Sequence, residues 1–300
     1  MAGNLSGNTL MALAHQALAT VPVADTQQRE FDFSDADFRA LSKIAYEHAG
    51  IMLPDAKKNL LYGRLSRRLR ALGLPSFEEY RQYLNENLGE ELQLFINALS
   101  TNHTKFFREQ HHFEHFVSAV VAPFLAAHPT GGRLRVWSAG CSSGEEPHTL
   151  ALILHAEIKD IASRDVRILA TDIDTDVLRK ASQGIFSAEA VSAVPAKYRS
   201  PIGKADSGDN VVIDRKVCSL ISFGHLNFMD DKWPMRGPFD AIFCRNVMIY
   251  FDGPTKTKLV DRFTDLLRVG SWLYIGHSES LLGSHPRLKL AGRTIYQRTA

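Results

Sequence analysis

The sequence predicts a small all-helical domain followed by a larger α/β domain whose sheet is mostly parallel. Residues 34–100 show helical periodicity and no convincing strand alternation. After residue 133, short apolar runs alternate with helical stretches, which is typical of βαβ units whose ligands bind at the carboxyl ends of the strands. A length of 300 residues, with 45% apolar and 23% charged residues, is ordinary for a globular protein and sufficient for two domains.

The N-terminal part of the chain divides into an extension and a helical domain. Residues 1–30 are rich in Ala, Asn, Thr and Gln and hold few large side chains, so we expect a disordered extension. Ser34, followed by two aspartates, is typical of a helix start because its side-chain oxygen can accept from an unpaired backbone N–H group. Breaks at Gly50–Pro54 and Gly73–Ser76 predict four or five helices, and we assign 31–104 to this domain.

Strands and helices can be placed individually in the second domain, which we assign to 105–300. Apolar runs predict buried strands at 134–139, 166–170, 240–244 and 272–275. The helices between them are predicted from 145 to about 158, after Asp174, and over 255–269. Two further runs, Val211–Ile213 and Val217–Phe223, predict a hairpin that such a sheet does not require.

Charge and cysteine content exclude several classes of protein. The formal charge is only +2, from 35 basic and 33 acidic residues, so the chain as a whole is not a polycation. Cys141, Cys218 and Cys244 form no CxxC pair, which argues against a disulfide framework or a zinc site, and we expect no bound metal. No apolar run approaches the roughly 20 residues of a membrane-spanning helix and no signal peptide is evident, so we expect a cytoplasmic protein without membrane insertion.

A glycine-bearing turn follows the first predicted strand. Residues 136–146, Val-Trp-Ser-Ala-Gly-Cys-Ser-Ser-Gly-Glu-Glu, lack the spacings of nucleotide phosphate loops. Glu145 and Glu146 at a helix start disfavour a pyrophosphate and favour a ligand with ammonium or hydroxyl groups; alternatively they only complement the helix dipole. A carboxylate at the tip of the second strand, Asp172, is placed to accept two ribose hydroxyl groups. Together these features favour an adenosyl ligand.

Two further segments lead to the same edge of the sheet. Asn227 and Phe228 precede Asp230, and Arg245 and Asn246 directly follow a buried strand. Polar residues at the carboxyl end of a buried parallel strand are where ligand-binding side chains belong. The alternative is the ordinary polarity of a loop.

Several strings of the sequence occur together and in a fixed order. They are Thr-Asn-His-Thr-Lys-Phe-Phe-Arg at 101–108, Gly-Glu-Glu-Pro at 144–147, Ala-Thr-Asp-Ile-Asp at 170–174, Cys-Arg-Asn-Val-Met-Ile-Tyr-Phe at 244–251 and Gly-His-Ser-Glu at 276–279. From about residue 33 to 297 the chain resembles the CheR-type chemotaxis receptor methyltransferases. The resemblance implies a Rossmann-like domain, S-adenosyl-L-methionine (SAM) as methyl donor, S-adenosyl-L-homocysteine (SAH) as product, and receptor glutamates as acceptors that become γ-glutamyl methyl esters.

The resemblance also implies which side chains hold the donor. Carried over position by position, they are Asn102, Thr104, Arg108, Glu146, Asp172, Asn227, Phe228, Arg245 and Asn246. Asp172 is expected to bind the ribose hydroxyl groups, and Glu146 to lie near the methionine moiety. The pair at 227–228 is expected to flank the adenine. The pair at 148–149 is His-Thr where the family more often has Tyr-Ser, which affects the surroundings of the site and not its identity.

Arg108 and Tyr250 are the residues that the resemblance places nearest the transferred methyl group. A sulfonium methyl is electrophilic and a glutamate carboxylate is ionised at neutral pH, so alignment of the reacting atoms suffices and no general base is needed. Arg108 is predicted to steer the acceptor carboxylate and Tyr250 to hydrogen-bond it. The alternative for Arg108 is a structural pairing with Glu109 or with the donor's own carboxylate.

Residues 56–72 hold six basic groups and no acidic one. Helical periodicity places four leucines on one face, namely Leu61, Leu65, Leu69 and Leu72. It places Arg64, Arg67, Arg68 and Arg70 on the opposite face, with Lys57 close to them. The resemblance suggests that these arginines bind the glutamate-bearing helices in the cytoplasmic region of a chemoreceptor. RNA binding is the alternative, although Tyr62 is the only aromatic residue in the stretch, and we expect no nucleic-acid partner.

The predicted hairpin fits a small antiparallel β-subdomain, at about 195–223, that this family inserts into the donor-binding domain. Some members use it to capture a C-terminal receptor pentapeptide by strand addition. The turn at 202–210 carries acidic residues in place of their glycine-rich turn with arginines, so we expect no pentapeptide tether, and we expect a monomer.

Two other classes of function stay open: a nucleic-acid or small-molecule methyltransferase on the same fold, and a donor-binding regulatory module without turnover.

Overall fold

The computed structural model of the chain describes residues 29–205, 208–279, 281 and 285–300. The chain separates into two units, and the described helices and strands all belong to the second, Phe33–Ala300. The predicted disordered extension at 1–30 lies outside the described residues, apart from its last two, and stays a prediction.

The N-terminal part of this unit is helical. It contains α1 (Asp35–Ala49), α2 (Lys58–Leu72), α3 (Phe77–Glu86) and α4 (Glu90–Leu99). The predicted start at Ser34 is confirmed, because Ser34 Oγ accepts from the Asp37 N–H at 3.1 Å and the Asp37 carboxylate accepts from the Ser34 N–H at 3.0 Å. The predicted breaks are confirmed as well, since α1 and α2 end at Gly50 and Gly73, each with a φ of 68°.

Helices and strands alternate in the rest of the unit. Its helices are α5 (His111–Phe116), α6 (Ala122–Ala127), α7 (Glu145–Glu157), α8 (Thr175–Ser182), α9 (Ala188–Val191), α10 (Arg215–Cys218) and α11 (Gly253–Leu266), and a π-helical turn at Val117–Val121 joins α5 to α6. Its strands are β1 (Arg133–Ala139), β2 (Asp165–Asp172), β3 (Ile185–Ser187), β4 (Ile202–Lys204), β5 (Asn210–Ile213), β6 (Ile221–His225), β7 (Phe239–Cys244), β8 (Leu267–Ile275), β9 (Leu288–Gly292) and β10 (Ile295–Arg298).

The large sheet has the strand order β6-β2-β1-β7-β8-β10-β9. Neighbouring strands from β6 to β8 are parallel, whereas β10 runs antiparallel between β8 and β9. The chain proceeds outward from β1 to β6 and restarts at β7 on the other side of β1, so the strand order reverses between β1 and β7. Sheets of this kind bind ligands beyond the carboxyl ends of the strands at such a reversal. The predicted Rossmann-like class is therefore confirmed.

Both faces of the large sheet are covered, as the nearly continuous apolar sequences of its central strands require. One core contains Val136 and Phe243, and the other contains Trp137 and Phe263. Cys141 at the end of β1 is buried within the first core, and burial raises the pKa of its thiol, so it serves as a small core residue.

The predicted hairpin of Val211–Ile213 with Val217–Phe223 is wrong. Strand β5 pairs instead with β3 and β4, in a separate antiparallel sheet of order β3-β5-β4. The second segment begins in α10, which the Asp214 carboxylate caps, and continues into β6, which is parallel to β2. Its apolar spacing therefore combines a helical turn with an edge strand of the large sheet. The small antiparallel sheet exists, but its strands span 185–213 and not 195–223.

The C-terminal elements also differ from the expectation. Helix α11 ends at Leu266 and β8 starts at Leu267, where a helix as far as 269 was predicted. The first half of β8 is largely exposed, so it lacks the apolar run by which the second half was found. The hairpin of β9 and β10 was not predicted, because its half-exposed strands are short.

Candidate functional site

A cavity lies at the carboxyl ends of β1, β2 and β7, where the strand order reverses. It encloses about 990 Å³, including its open mouth, and Ala49, Ile51 and Leu99 of the helical region form part of its wall. The donor residues implied by the resemblance all line it, namely Asn102, Thr104, Arg108, Glu146, Asp172, Asn227, Phe228, Arg245 and Asn246. Tyr250 lines it too. Segments that are far apart in sequence thus meet around one space.

The turn after β1 forms one wall through a close backbone approach. Gly140 has a φ of 84°, and a Cβ atom there would lie 2.3 Å from Val247 Cγ2. Gly140 and Cys141 both donate their N–H groups to the Thr171 carbonyl, at 2.8 and 2.9 Å. Glycine is therefore required at 140, because the turn fits between the tip of β2 and the segment that follows β7.

Asp172 stands at the tip of β2 with capacity to spare. Its carboxylate accepts from the N–H groups of Ser142, at 2.8 Å, and Asp174, at 2.9 Å. Burial raises the pKa of Asp172, and these hydrogen bonds oppose the shift. A carboxylate has about four lone-pair sites, so two hydroxyl donors can still bind here. Ser142 Oγ, on the cavity wall, is buried without a partner among the described residues, as expected of a group that awaits a ligand.

Asn102 lies on the cavity wall with part of its hydrogen-bonding capacity in use. Its Nδ2 donates to Asp174 Oδ2 at 2.7 Å. Asp174 caps α8 with its other oxygen, so Asn102 ties the linker after α4 to the start of α8. Gln93 and Asn97 of α4 reinforce this connection through hydrogen bonds to the carbonyl of Ile173 and the hydroxyl of Thr175.

A buried charge network lies at the base of the cavity. The Arg245 side chain is 2% exposed and pairs with Glu146 at 2.9 Å and with Glu109 at 3.3 Å. Ser138 Oγ donates to the second oxygen of Glu146 at 2.7 Å. Burial raises the pKa of Glu146 against the pull of Arg245. Burial also acts to raise the pKa of Glu109, but Arg245 and a hydrogen bond from the His277 N–H outweigh it and hold that pKa below its usual value.

Sequence reasoning missed the part that Glu109 plays. It was considered only as a partner of Arg108, whereas its carboxylate pairs with Arg245. The Arg108 guanidinium donates to the His103 carbonyl at 2.8 Å and stays on the cavity wall. Phe107 and Glu109 have φ angles of 53° and 57°, and this strained backbone turns the Glu109 carboxylate toward Arg245. No pattern in the sequence predicts this backbone turn.

The helical region and the site are joined near Tyr250. The Tyr250 carbonyl accepts from the Met52 N–H at 2.9 Å, and Tyr46 Oη donates to Asp252 at 2.7 Å. Asn227 donates its Nδ2 to the His48 carbonyl at 2.6 Å. These contacts hold the end of α1 and the segment that follows it against the cavity. One hydrogen-bond donor of the Asn227 amide is used in this contact.

The pair expected to flank the adenine is only partly available to a ligand. Phe228 is 9% exposed and its ring packs against Trp137, Trp233 and Phe251. What remains exposed of Phe228 belongs to the cavity wall, beside the apolar Leu226.

The pair at 148–149 lies behind the glycine-bearing turn. His148 is buried, its Nδ1 lies 2.7 Å from the Gly144 carbonyl, and burial lowers its pKa from 6.5 to about 4. Thr149 Oγ1 donates to the Glu145 carbonyl at 2.7 Å and accepts from the Phe107 N–H at 3.3 Å. Both residues support the start of α7 and neither lines the cavity.

The predicted position of the α2 arginines, opposite Leu61, Leu65, Leu69 and Leu72, is wrong for Arg64 and Arg68. Arg68 Nε donates to Glu91 at 3.1 Å, and Glu91 also accepts from Tyr80 Oη at 2.9 Å. Each of these arginines directly precedes a buried leucine, so its long stem reaches around the edge of the apolar face to α4.

Arg64 reaches the linker that follows α4. It donates to the Leu99 carbonyl and, at 2.9 Å, to Thr101 Oγ1. Burial lowers the pKa of Arg64, and the nearby Tyr250 opposes that shift. Arg67 and Arg70 are exposed on α2, as predicted.

Two family models match the chain, and together they span nearly all of its folded part. The all-alpha domain of CheR methyltransferase matches residues 36–100, and the SAM binding domain of CheR methyltransferase matches residues 102–296. The chain belongs to the CheR methyltransferase family. The recognised family, the SAM-dependent methyltransferase activity and the donor predicted from the sequence are thereby confirmed.

Relatives of this CheR methyltransferase are similar over most of their length. Chemotaxis protein methyltransferase 2 of Pseudomonas aeruginosa is 40% identical over 273 residues, which cover 89% of this chain and 95% of the relative. The chemotaxis protein methyltransferase of Escherichia coli is 41% identical over 269 residues, which cover 88% of this chain and 91% of the relative. Among the helices that the structure describes, none is both long enough and apolar enough to cross a bilayer.

Proposed function

We propose that this CheR methyltransferase transfers the methyl group of SAM to glutamate side chains in the cytoplasmic helices of chemoreceptors, forming γ-glutamyl methyl esters. The observation that carries the proposal is the single cavity that collects the donor residues together with Arg108 and Tyr250. The names of the relatives support a substrate in chemotaxis.

The charged groups of the cavity wall match the separate charged groups of the donor. Asp172 and Glu146 are acidic, whereas Lys105, Arg108 and Arg245 are basic. SAM carries a sulfonium and an ammonium group, which carboxylates attract, and one carboxylate, which a basic side chain attracts. Asp172 would accept the ribose hydroxyl groups, and Glu146 would lie near the methionine moiety. The apolar wall at Leu226 and Phe228 would face the adenine.

Alignment is what this chain has to contribute to the chemistry. The donor, when bound, supplies an electrophilic methyl group on a sulfonium. An acceptor carboxylate oxygen attacks the methyl carbon with a lone pair while the carbon–sulfur electron pair goes to sulfur, which leaves an ester and SAH without any proton transfer. Arg108 would steer the carboxylate and Tyr250 would hydrogen-bond it. Such positioning can lower a barrier by roughly 7–11 kcal/mol in favourable cases.

The basic helix α2 provides the docking surface for the acceptor. Arg67 and Arg70 would bind the acidic receptor helix directly because both are exposed. Arg64 would contribute near the mouth, beside Tyr250, and Arg68 would act mainly by holding α2 to Glu91.

Asp206 and Ser207 of the turn at 202–210 lie outside the described residues, so the absence of a pentapeptide tether stays a prediction. The monomeric state, the cytoplasmic location and the absence of a nucleic-acid partner stay predictions as well.

The proposal can be tested with SAM labelled in its methyl group. The chain is incubated separately with a receptor cytoplasmic fragment and with RNA, and base-labile label is sought on receptor glutamates. We expect label on the receptor fragment alone, and about 10- to 100-fold slower transfer by Tyr250→Phe with unchanged SAH affinity, because one positioning hydrogen bond is lost. Label on RNA, or no label on the receptor fragment, contradicts the proposed acceptor. Full activity of Tyr250→Phe removes Tyr250 from the mechanism.

A further inference from the structure

The Gly-His-Ser-Glu string at 276–279 follows β8 and ends in a buried carboxylate that the donor set does not use. Glu279 is 5% exposed. Its Oε2 accepts from the N–H groups of Gly276, at 2.6 Å, and Asn246, at 2.9 Å, and its Oε1 accepts from the Ile249 N–H at 3.1 Å. Two of these donors belong to the segment at 245–250, which carries Arg245, Asn246 and Tyr250.

The segment at 245–250 needs such support. Asn246 has a φ of 61°, in the left-handed region, which few residues other than glycine adopt and which asparagine tolerates better than most. Its backbone N–H is one of the donors that Glu279 binds. The carboxylate therefore satisfies a buried N–H group at the residue where the backbone enters the left-handed region.

The two segments are packed without spare room. A Cβ atom on Gly276 would lie 2.5 Å from Asn246 Nδ2, 2.6 Å from Asn246 N and 2.7 Å from Glu279 Oε2. On its other side the 276–279 string is held by Glu109, whose Oε1 accepts from the His277 N–H at 3.1 Å while its Oε2 pairs with Arg245. The buried carboxylate of Glu279 and the partly buried carboxylate of Glu109 thus join the carboxyl ends of the neighbouring strands β7 and β8.

We propose that Glu279 is a positioning residue for methyl transfer. Its carboxylate fixes the 245–250 segment so that Asn246 and Tyr250 are both presented to the cavity. The inference rests on the proposed function. A carboxylate is required because both of its oxygens only accept, whereas the amide nitrogen of glutamine would set a donor against a backbone donor.

Glu279→Gln tests the proposal, because the variant keeps the shape of the side chain. With SAM and receptor fragment both saturating, we expect kcat to fall by about 10- to 100-fold, since one buried N–H loses its acceptor and the segment shifts.

A double-mutant cycle with Tyr250→Phe isolates the positioning role of Glu279. In the Tyr250→Phe background the further loss caused by Glu279→Gln is expected to be less than about threefold, because the hydroxyl group that Glu279 positions is already absent. Unchanged kcat, or an equal fold loss in both backgrounds, overturns the proposal.

Asp37→Asn is the matched control. Asp37 is also a buried carboxylate that accepts from a backbone N–H, and it pairs with Arg81 as well, but it lies at the start of α1 and outside the cavity. We expect a comparable loss of thermal stability with kcat unchanged. An equal fall of kcat in Asp37→Asn would make the effect of Glu279→Gln one of general stability and would overturn the proposal.

Gly276→Ala provides a second variant if Glu279→Gln does not fold. Its added methyl group presses on the same contact, so the same fall of kcat and the same non-additivity with Tyr250→Phe are expected. If neither variant folds, Glu279 is a stability residue and the proposal is overturned. If the unchanged protein itself transfers no methyl group to the receptor fragment, the proposed function has failed, which differs from a failure of this inference alone.

Discussion

Arginine is used in contrasting ways in two parts of the molecule. Beneath the cavity, the Arg245 side chain is 2% exposed and pairs with Glu146 and Glu109. On the basic helix α2, Arg67 is exposed to solvent. Charge interactions are strong and little screened in the first environment and weak and salt-sensitive in the second. Under the proposed function, the donor site would depend on buried charge held in place by the fold, whereas acceptor docking would depend on surface charge.

Arg68 stands between these two extremes. It belongs to α2 like Arg67, yet it pairs with the buried carboxylate of Glu91. Within one basic stretch, some arginines thus hold the fold together and others are exposed to solvent. Substitutions at single positions can separate these two roles.

The largest effect is expected from breaking the buried network with Arg245→Met. The change leaves the buried carboxylate of Glu146 and the partly buried carboxylate of Glu109 without their cationic partner, so the free energy of unfolding should fall by about 3–5 kcal/mol in urea unfolding. The control is Arg179→Met, which removes an ion pair between side chains that are 72% and 48% exposed. That control should cost less than about 1 kcal/mol. Equal losses in the two variants would refute the contrast between buried and surface charge.

The fold should also be sensitive to acid through His112, which is buried and whose Nδ1 lies 3.4 Å from Glu109 Oε2. Burial, followed by the charges of Arg245 and His111, lowers the pKa of His112 from 6.5 to about 3. Between these pH values the unfolded chain binds a proton that the folded chain does not, so stability falls as pH decreases through the window. The contribution of one such group has a slope of up to about 1.4 kcal/mol per pH unit.

His112→Gln should therefore flatten the dependence of the unfolding free energy on pH between 6.5 and about 3. Gln82→Asn, which changes a side chain that does not titrate and is exposed on α3, should leave the slope as it is. Urea unfolding at several pH values measures both slopes. An unchanged slope in His112→Gln would mean that this histidine is not held neutral by its surroundings.

The smallest changes in stability are expected on α2, where substitutions of Arg68 and Arg67 should have different effects. Arg68→Met removes the charged hydrogen-bond donor of the buried Glu91 carboxylate. The free energy of unfolding should therefore fall by about 1–3 kcal/mol. Arg67→Met should change stability by less than about 0.5 kcal/mol but raise the KM for the receptor fragment and weaken the dependence of KM on salt. Unfolding curves and initial rates at two salt concentrations check the pair. The reverse pattern would assign docking to Arg68.

Local signals in the sequence predicted the elements that depend on local physics. Ser34 capped a helix and Gly50 ended one, because capping and positive φ are decided by a few neighbouring residues. The strand tips were found because buried parallel strands are continuous apolar runs followed by polar residues. The roles suggested for the donor residues came from the family resemblance and not from these patterns.

Contacts between distant segments could not be predicted in the same way. Whether Arg68 points to solvent or to Glu91 depends on where α4 packs, and the strained backbone at Glu109 depends on the whole cavity. The sequence did contain one unused signal for Glu279: a glycine and a glutamate three residues apart, directly after a buried strand. Its meaning required knowing that β8 lies beside β7.

The cavity at the carboxyl ends of β1, β2 and β7 should bind SAM, and calorimetric titration with SAH measures that binding. We predict saturable binding at one site, weakened at least about tenfold in Asp172→Ala, because the ribose loses its acceptor, and unchanged in Arg67→Met. The absence of saturable binding to the unchanged protein, or equal affinity in Asp172→Ala, would contradict the claim.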